Sequence, residues 1–316
     1  MQRLGAFVCT VAYLLFCGTP AIAEDLPPVD ACASQSDRLG LSRIVEIDTE
    51  TGPSFGHAPK GEFNFLRDGE VVLTFDDGPL RSHTRAVLKA LEAHCTKATF
   101  FMVGRMAVAD PAMVREVAKH GHTVAAHTWS HARLQGMNIE KAKEEIELGY
   151  SAVAGALKAP VAPFFRFPYL RTSKQTVAYL KSRGIGAIGI DVDSRDFETK
   201  NGALVKDKVL RALAKRRKGI VLFHDIQPST AGALNDILDE LKTRGFKVVH
   251  LVPKQKLETL ADYDVRAKAE ILRRTQVLKK KPLASRVVVW SQAEGKDEDE
   301  VLPWKKRSTT AANHDE

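Results

Sequence analysis

Alternating strand-like and helix-like segments predict an α/β fold for this chain, a distorted (β/α) barrel of about seven parallel strands. Short apolar runs recur at 71–75, 98–103, 123–126, 164–167, 185–190, 220–223 and 246–251. Helical patterns separate them at 84–94, 111–120, 139–157, 174–183, 204–217 and 231–244. Such alternation implies parallel βα units, and about seven of them fit a barrel better than an open doubly wound sheet. No Gly-rich dinucleotide fingerprint or phosphate-binding loop follows any of the strands.

Taken in order, the chain begins with an export signal. Arg3 precedes an apolar run over 4–17, a polar break at Gly18-Thr19-Pro20, and Ala21-Ile22-Ala23. A charged start, short hydrophobic core and A-x-A pattern predict a signal peptide over 1–23, cleaved after Ala23. The expected destination is the periplasm or the exterior. The run is short for a bilayer span, and no other segment approaches that length, so no transmembrane segment is expected after cleavage. Residues 24–67 are rich in Pro, Gly, Ser and charge, and read as an irregular N-terminal extension.

Regular patterning defines a domain over 68–254. Asp110-Pro111 has the form of a helix cap followed by proline in the first turn, and Gly121, Gly184 and Gly245 stand where helices should stop. Asn138 precedes another helix, with Glu140 suited to its positive end. Beyond Val252-Pro253-Lys254 the pattern fades. Residues 255–316 read as a charged, partly mobile C-terminal extension, with an amphipathic helix over 257–278 and a short strand at 287–290.

Hydrophobic residues make up 44% and charged residues 27% of the sequence, ordinary for a globular protein. The formal charge of +8 is spread along the chain and includes no basic stripe with interleaved aromatics, so a nucleic-acid partner is not expected. Of four cysteines, Cys9 and Cys17 leave with the signal. Cys32 and Cys95 remain and allow two readings, one disulfide in an oxidising compartment or two unpaired small apolar side chains.

The chemistry-bearing residues cluster where strands end. Val71–Phe75 runs into Asp76-Asp77-Gly78-Pro79, two carboxylates at the strand end where α/β folds build their sites. The next element is His127-Thr128-Trp129-Ser130-His131, after the strand at 123–126. Histidines four apart on one side of a helical turn can reach a single cation. Two imidazoles plus a carboxylate suit Zn²⁺ with a position left for water. His120 and His122, at the other end of that strand, read as surface residues. Three further strand ends carry Arg166-Phe167-Pro168-Tyr169, Asp193-Ser194-Arg195-Asp196-Phe197 and His224-Asp225.

In this order, Thr74-Phe75-Asp76-Asp77-Gly78, His127-x-x-x-His131, Arg166-x-Pro168-Tyr169, Asp193-x-x-Asp196-Phe197 and Leu222-x-His224 resemble the five motifs of the NodB-type polysaccharide deacetylases, carbohydrate esterase family four. The resemblance spans roughly residues 70–253. It implies a distorted (β/α) barrel and metal-dependent removal of acetyl groups from acetylated polysaccharides or oligosaccharides. It assigns Asp77, His127 and His131 to a divalent metal, zinc foremost, with cobalt or another first-row ion as alternatives. By the same resemblance Asp76 is the general base and His224 the general acid. Arg166 pairs with Asp76 and keeps it ionised. The Tyr169 backbone N–H, following Pro168, helps bind an oxyanion. Asp196 is the first candidate to orient His224 and Asp193 the second, while Leu222 and Phe197 flank the acetyl methyl.

Two positions depart from the pattern. Phe197 stands where tryptophan is common, and Leu170 where glycine is frequent. The function expected is N-deacetylation of N-acetylglucosamine units in peptidoglycan or a chitin-like oligosaccharide. The alternatives are an O-acetyl esterase of the acetylxylan type and a non-catalytic glycan-binding protein.

Overall fold

The structure is a computed structural model that describes Cys32, residues 38–61 and residues 63–280. The expected signal peptide and the strand at 287–290 lie outside the described residues. The elements run β1 (Arg43–Ile47), β2 (Ser54–Phe55), β3 (Glu70–Asp76), α1 (Arg81–Ala93), β4 (Thr99–Met102), α2 (Gly104–Ala109), α3 (Pro111–Lys119), β5 (Thr123–Ala126) and α4 (Ile139–Leu157). They continue with β6 (Phe164–Phe165), α5 (Lys174–Ser182), β7 (Gly186–Ile188), β8 (Val192–Asp193), α6 (Gly202–Arg216), β9 (Gly219–His224), α7 (Pro228–Thr243), β10 (Lys247–Pro253) and α8 (Ala261–Lys280).

Every ladder between these strands is parallel. β3 pairs with β4, β4 with β5, β5 with β6 and β6 with β7, while β8 pairs with β9 and β9 with β3. Seven strands thus follow one circuit, and among the described residues no ladder joins β7 to β8. This is the distorted barrel expected from the sequence, except that β8 takes the place in the circuit of the run at 246–251, which as β10 pairs with β1 and β3 outside it. The interruption falls where Gly189 and Ile190 instead meet β2 and the segment after it, through Gly189 N–H to Phe55 O at 2.8 Å and Ile190 N–H to Ala58 O at 2.9 Å.

Strand alternation sorts the side chains into two layers. Val71, Leu73 and Phe75 of β3 face the helices with Phe100, Val124, Val221 and Phe223. Val72 faces the barrel axis with Phe101, Ala125, Phe164, Ile188 and Ile220. The same parity puts Thr74 and Asp76 inside, and in the β3–β9 register Asp76 lies beside His224. In the outer layer Phe75 stacks on Phe100 and Phe223 with ring centroids 5.0 and 5.5 Å apart. Burying rings of that size on one face fixes the register that brings the two polar residues together on the other.

Helix punctuation follows the sequence. The Asp110 side chain accepts from Met113 N–H with Pro111 in the first turn, and Asn138 accepts from Glu140 N–H. Gly121, Gly184 and Gly245 end helices at φ 77°, 62° and 74°.

Three expectations are corrected. The stretch read as irregular up to residue 67 contains β1, which pairs with β10 over Arg43–Ile47, and β2, which pairs with β7. Arg43 clamps β1 to the barrel through paired 2.7 Å bonds to buried Glu70, a contact no local pattern reveals. This guanidinium outweighs burial and holds Glu70 down at about 2. His122 is buried rather than on the surface, its Nδ1 accepting from Ala98 N–H at 3.2 Å. The H-x-x-x-H segment is an irregular loop rather than a helical turn, with Thr128 at φ 62° and His131 at φ 58°.

Candidate metal and acid–base site

The site is built at the carboxyl ends of β3, β5, β6, β8 and β9. Asp76 ends β3 pointing into the barrel. Asp77 follows in the left-handed region at φ 74°, with its N–H donating to Phe101 O at 3.2 Å. Left-handed backbone is uncommon for a residue with a Cβ, and Asp is among the types that tolerate it. Gly78 is required beside it, because a Cβ there would lie 2.2 to 2.5 Å from the carboxylate of buried Asp225.

His127 and His131 enter from the loop after β5. His127 N–H continues the ladder to Met102 O at 2.9 Å, and its Nδ1–H donates to Arg166 O at 2.6 Å. That bond leaves Nε2 as the lone-pair nitrogen, 3.6 Å from Asp77 Oδ1. His131 Nε2 lies 3.2 Å from the same oxygen. One ligand atom from each of Asp77, His127 and His131 can be chosen so that all lie within 4.8 Å of one another. Burial lowers both imidazoles, His127 to about 3, so they stay neutral as a cation requires. The donor set therefore fits a divalent ion. Two nitrogens and one carboxylate oxygen, one imidazole fixed by its second nitrogen, are the usual makings of a zinc or related centre.

Residues outside the sequence-level selection fix this loop. Glu145 of α4 accepts from Ser130 N–H at 2.9 Å and Ser130 Oγ at 2.8 Å, while Trp129 N–H donates to Glu145 O. Gly149 lets α4 approach, since a Cβ there would sit 2.6 Å from the Thr128 carbonyl carbon. A half-buried glutamate on a helix face carries no local signal of this duty.

Arg166 lies wholly inside the barrel. Its Nη1 donates to Asp76 Oδ1 and Thr74 Oγ1, each at 2.8 Å. Nε and Nη2 reach Ile188 O and Gly189 O at 3.0 and 3.1 Å. The guanidinium also lies over Phe101, 4.2 Å from the ring centroid. It thus fills the interruption after β7, satisfying carbonyls that a β7–β8 ladder would otherwise have paired. The predicted Arg166–Asp76 pair is present. Burial nevertheless pushes Asp76 up to about 6 against the attraction of Arg166 and His224, so it remains mostly ionised at neutral pH.

His224 faces Asp76 and Asp77 from β9, its Nε2 4.0 Å from Asp77 Oδ2. Its Nδ1–H donates to Asp196 Oδ1 at 2.6 Å, and its backbone N–H to Asp196 Oδ2 at 2.7 Å. Thr230 Oγ1 also donates to Asp196 Oδ2. Burial alone would lower His224, but the adjoining carboxylate of Asp196, then Asp77 and Asp76, raise it to about 10. Asp193 plays no part in this pair, since its Oδ1 accepts from Arg195 N–H at 2.8 Å.

The remaining predicted residues line the rim. Leu222 is buried on β9 and Pro168 beneath the rim, whereas Phe197 stands 54% exposed with its ring edge-on to His224 at 5.7 Å. Tyr169 is 51% exposed, adopts φ 57° and meets His131 at 4.8 Å between ring centroids. Leu170 follows at φ 54°, a backbone region that glycine enters more readily than leucine. Cys32 and Cys95 are each disulfide-bonded.

Fold and site together define a parallel (β/α) barrel whose mouth sets a cation cradle beside a buried carboxylate and a carboxylate-held imidazole. Residues 66–188 match the family described as polysaccharide deacetylase. A chitooligosaccharide deacetylase of Bradyrhizobium sp. (strain ANU 289) is 30% identical over 198 residues, covering 58% of this chain and 89% of that protein. A peptidoglycan-N-acetylglucosamine deacetylase of Listeria monocytogenes serotype 1/2a is 34% identical over 182 residues, covering 57% of this chain. This chain spans only 37% of that protein's length. Among solved structures, a peptidoglycan deacetylase of Bdellovibrio bacteriovorus aligns with a TM-score of 0.63 at 33% identity, over 70% of this chain and 61% of that one. The chain belongs to the polysaccharide deacetylase family.

Proposed function

We propose that this protein is a metal-dependent hydrolase removing N-acetyl groups from N-acetylglucosamine units of peptidoglycan or a chitin-like oligosaccharide. One observation carries the reading. Asp76, on its Arg166 support, and His224, on its Asp196 support, flank a cradle made of Asp77, His127 and His131. Asp77, His127 and His131 would hold the ion, for which zinc fits the two-nitrogen, one-oxygen set best. A cation bound there supplies Lewis acidity and makes water a nucleophile near neutral pH.

The chain's own groups divide the proton work. Asp76, at about 6, is ionised at neutral pH and takes the proton of the attacking water. Arg166 keeps that carboxylate aimed into the mouth. An amine leaves poorly unless protonated, and His224, at about 10, carries a proton at neutral pH to give to the departing nitrogen. Asp196 fixes its tautomer through Nδ1. The Tyr169 backbone N–H is the donor for the developing oxyanion, where each such donor contributes on the order of 3–4 kcal/mol. Leu222 and Phe197 bound the space for the acetyl methyl. A supported acid favours amide over ester cleavage, because an ester needs less help from a proton donor. Action on the cell envelope after export is part of the same proposal, supported by the cell-wall polymer in the name of the Listeria relative.

The test is acetate release by the mature protein with zinc from acetylated chito-oligomers, peptidoglycan and acetylxylan. Release from the amide substrates, abolished by a chelator and restored by metal, is expected. Release from acetylxylan alone would establish an esterase instead, and binding without release would establish a glycan-binding protein.

A further inference from the structure

The deacetylase reading leaves one pair of rim side chains without a task. Arg133, in the loop between β5 and α4, lays its guanidinium over the Tyr169 ring, 5.2 Å from the centroid. Tyr169 in turn stands edge-on to His131. Arg133 is therefore two contacts from an imidazole of the cation cradle, on the exposed side of the intervening ring.

Two arginines in other strand-end segments are neutralised. Arg195 is paired with Glu198, and Arg81 with Asp110. Among the described residues no carboxylate pairs with Arg133. Arg105, in the first turn of α2, shares that condition, its guanidinium carbon over the Trp129 ring at 5.7 Å from the centroid. Arg171, one residue beyond Leu170, also has no carboxylate partner among the described residues. The segments that follow β4, β5 and β6 thus each carry an arginine with no paired acid among the described residues, and of these Arg133 is the one linked to the cradle, through Tyr169.

A guanidinium resting on an aromatic face keeps its in-plane N–H fork available, and that fork matches a carboxylate in bidentate geometry. The stack also holds the long side chain in place before a ligand arrives. A neutral oligosaccharide offers such a group only uncharged hydroxyl and amide oxygens, without the charge or the paired oxygens of a carboxylate.

We propose that Arg133, braced on Tyr169, is a specificity-determining residue that receives a carboxylate on a saccharide adjoining the unit being deacetylated. The preferred substrate class is then an acidic glycan rather than a neutral one. This rests on the deacetylase reading, which it narrows. In peptidoglycan the carboxylate has two sources, the lactyl ether of the neighbouring sugar or the peptide attached to it, and the recognising chemistry is the same for both.

The experiment compares wild type, Arg133→Ala and Arg133→Lys on three oligosaccharides of equal length. One is neutral, one carries free lactyl carboxylates, and one carries lactyl groups extended by peptide. Binding is measured by calorimetry and turnover by acetate release, at low and at high salt. Wild type is expected to favour an acidic oligosaccharide about fivefold, the range of an exposed charge pair, with the difference shrinking at high salt. Arg133→Ala should abolish that preference by raising KM for the acidic substrate alone, with kcat unchanged, and Arg133→Lys should retain part of it. Preference for the lactyl form over the peptide form, or the reverse, identifies the source. Equal affinity of wild type for neutral and acidic glycans overturns the proposal, as does an equal loss on both in Arg133→Ala. If no oligosaccharide releases acetate while binding still favours acidic glycans through Arg133, the deacetylase reading fails and the rim assignment stands.

Discussion

Asp196→Asn separates His224, the proposed acid, from its support with little change of shape. In the native site His224 is raised from 6.5 to about 10, a preference for the charged ring of about 5 kcal/mol. Burial opposes that shift, and Asp196 is the foremost group overcoming it. An amide oxygen can still accept from Nδ1–H, but it brings no charge, so His224 should titrate near or below 6.5. At pH 8 the protonated fraction then falls to about 3%, and kcat/KM should drop about 30-fold. The alkaline limb of the profile should move from near 10 toward neutrality. Losing a charged acceptor for the His224 N–H and the Thr230 hydroxyl also costs about 1–3 kcal/mol of stability, which thermal unfolding measures separately. The linkage has a definite sign. A raised imidazole stabilises the fold fully below pH 6.5 and loses that contribution as pH rises through about 10, so native stability should decline across that window and the variant's should not. Acetate release from a chito-oligomer over pH 5 to 11 is the assay. An alkaline limb left where the wild type has it, or a loss uniform at every pH, would show that His224 is not the acid.

The cradle is tested by Asp77→Ala and His131→Ala, each expected to lose stoichiometric metal by elemental analysis; full occupancy in either contradicts the ligand assignment. Asp76→Asn should keep its metal yet lose at least 100-fold in turnover, about the least a positioned base contributes, and near-normal acetate release would remove Asp76 from that role. At the opposite end of the barrel, burial and then Lys97 lower His250 to about 4, while its Nε2–H donates to Thr123 Oγ1 at 2.9 Å. Since the unfolded chain takes up that proton first, stability should fall as pH drops from 6.5 to about 4, by about 3 kcal/mol. His250→Gln, which retains a donor toward Thr123, should flatten the slope seen in denaturant titrations, and an unchanged slope assigns it elsewhere. Mass mapping of the non-reduced mature protein should find Cys32 and Cys95 in one linked pair of peptides, with two alkylated thiols as the contrary result.

The central strands were legible because each carries a continuous apolar run ending in charge. β5 and α4 have the limits the sequence predicts, and the Asp110, Gly121, Gly184 and Gly245 punctuation needs only local chemistry. β1, β2 and β8 were not legible. β1 alternates half-exposed and exposed residues along a flank, while β2 and β8 are two residues each, too short for any period to register. Their position is set by long-range partners such as Glu70 for Arg43 and Val221 for Val192. The same division holds in the site. Asp76, Asp77, His127, His131 and His224 stand at strand ends and could be selected from type and place. Glu145 and Thr230 act from helices, where a glutamate or threonine is unremarkable until the fold brings it in.

Adjacent aspartates can hold different duties because the backbone turns between them. Continued strand geometry would send Asp77 into the helix layer, opposite to Asp76. The left-handed step at Asp77 instead swings its carboxylate to the mouth, within reach of both imidazoles, while Asp76 stays below on Arg166. The same device recurs around the rim. Of nine non-glycine residues with positive φ among the described residues, six occur here: Asp77, Thr128, His131, Tyr169, Leu170 and Arg195. Such conformations cost on the order of 1–3 kcal/mol each when the residue is ill suited to them, as β-branched Thr128 is. In the loop after β5 they persist because the Glu145 bonds, the Gly149 contact and the ladder bond from His127 over-determine it. Strain gathered at one end of a barrel, on the residues that bear its charged and aromatic groups, is what placing five separate loops around a single small volume entails.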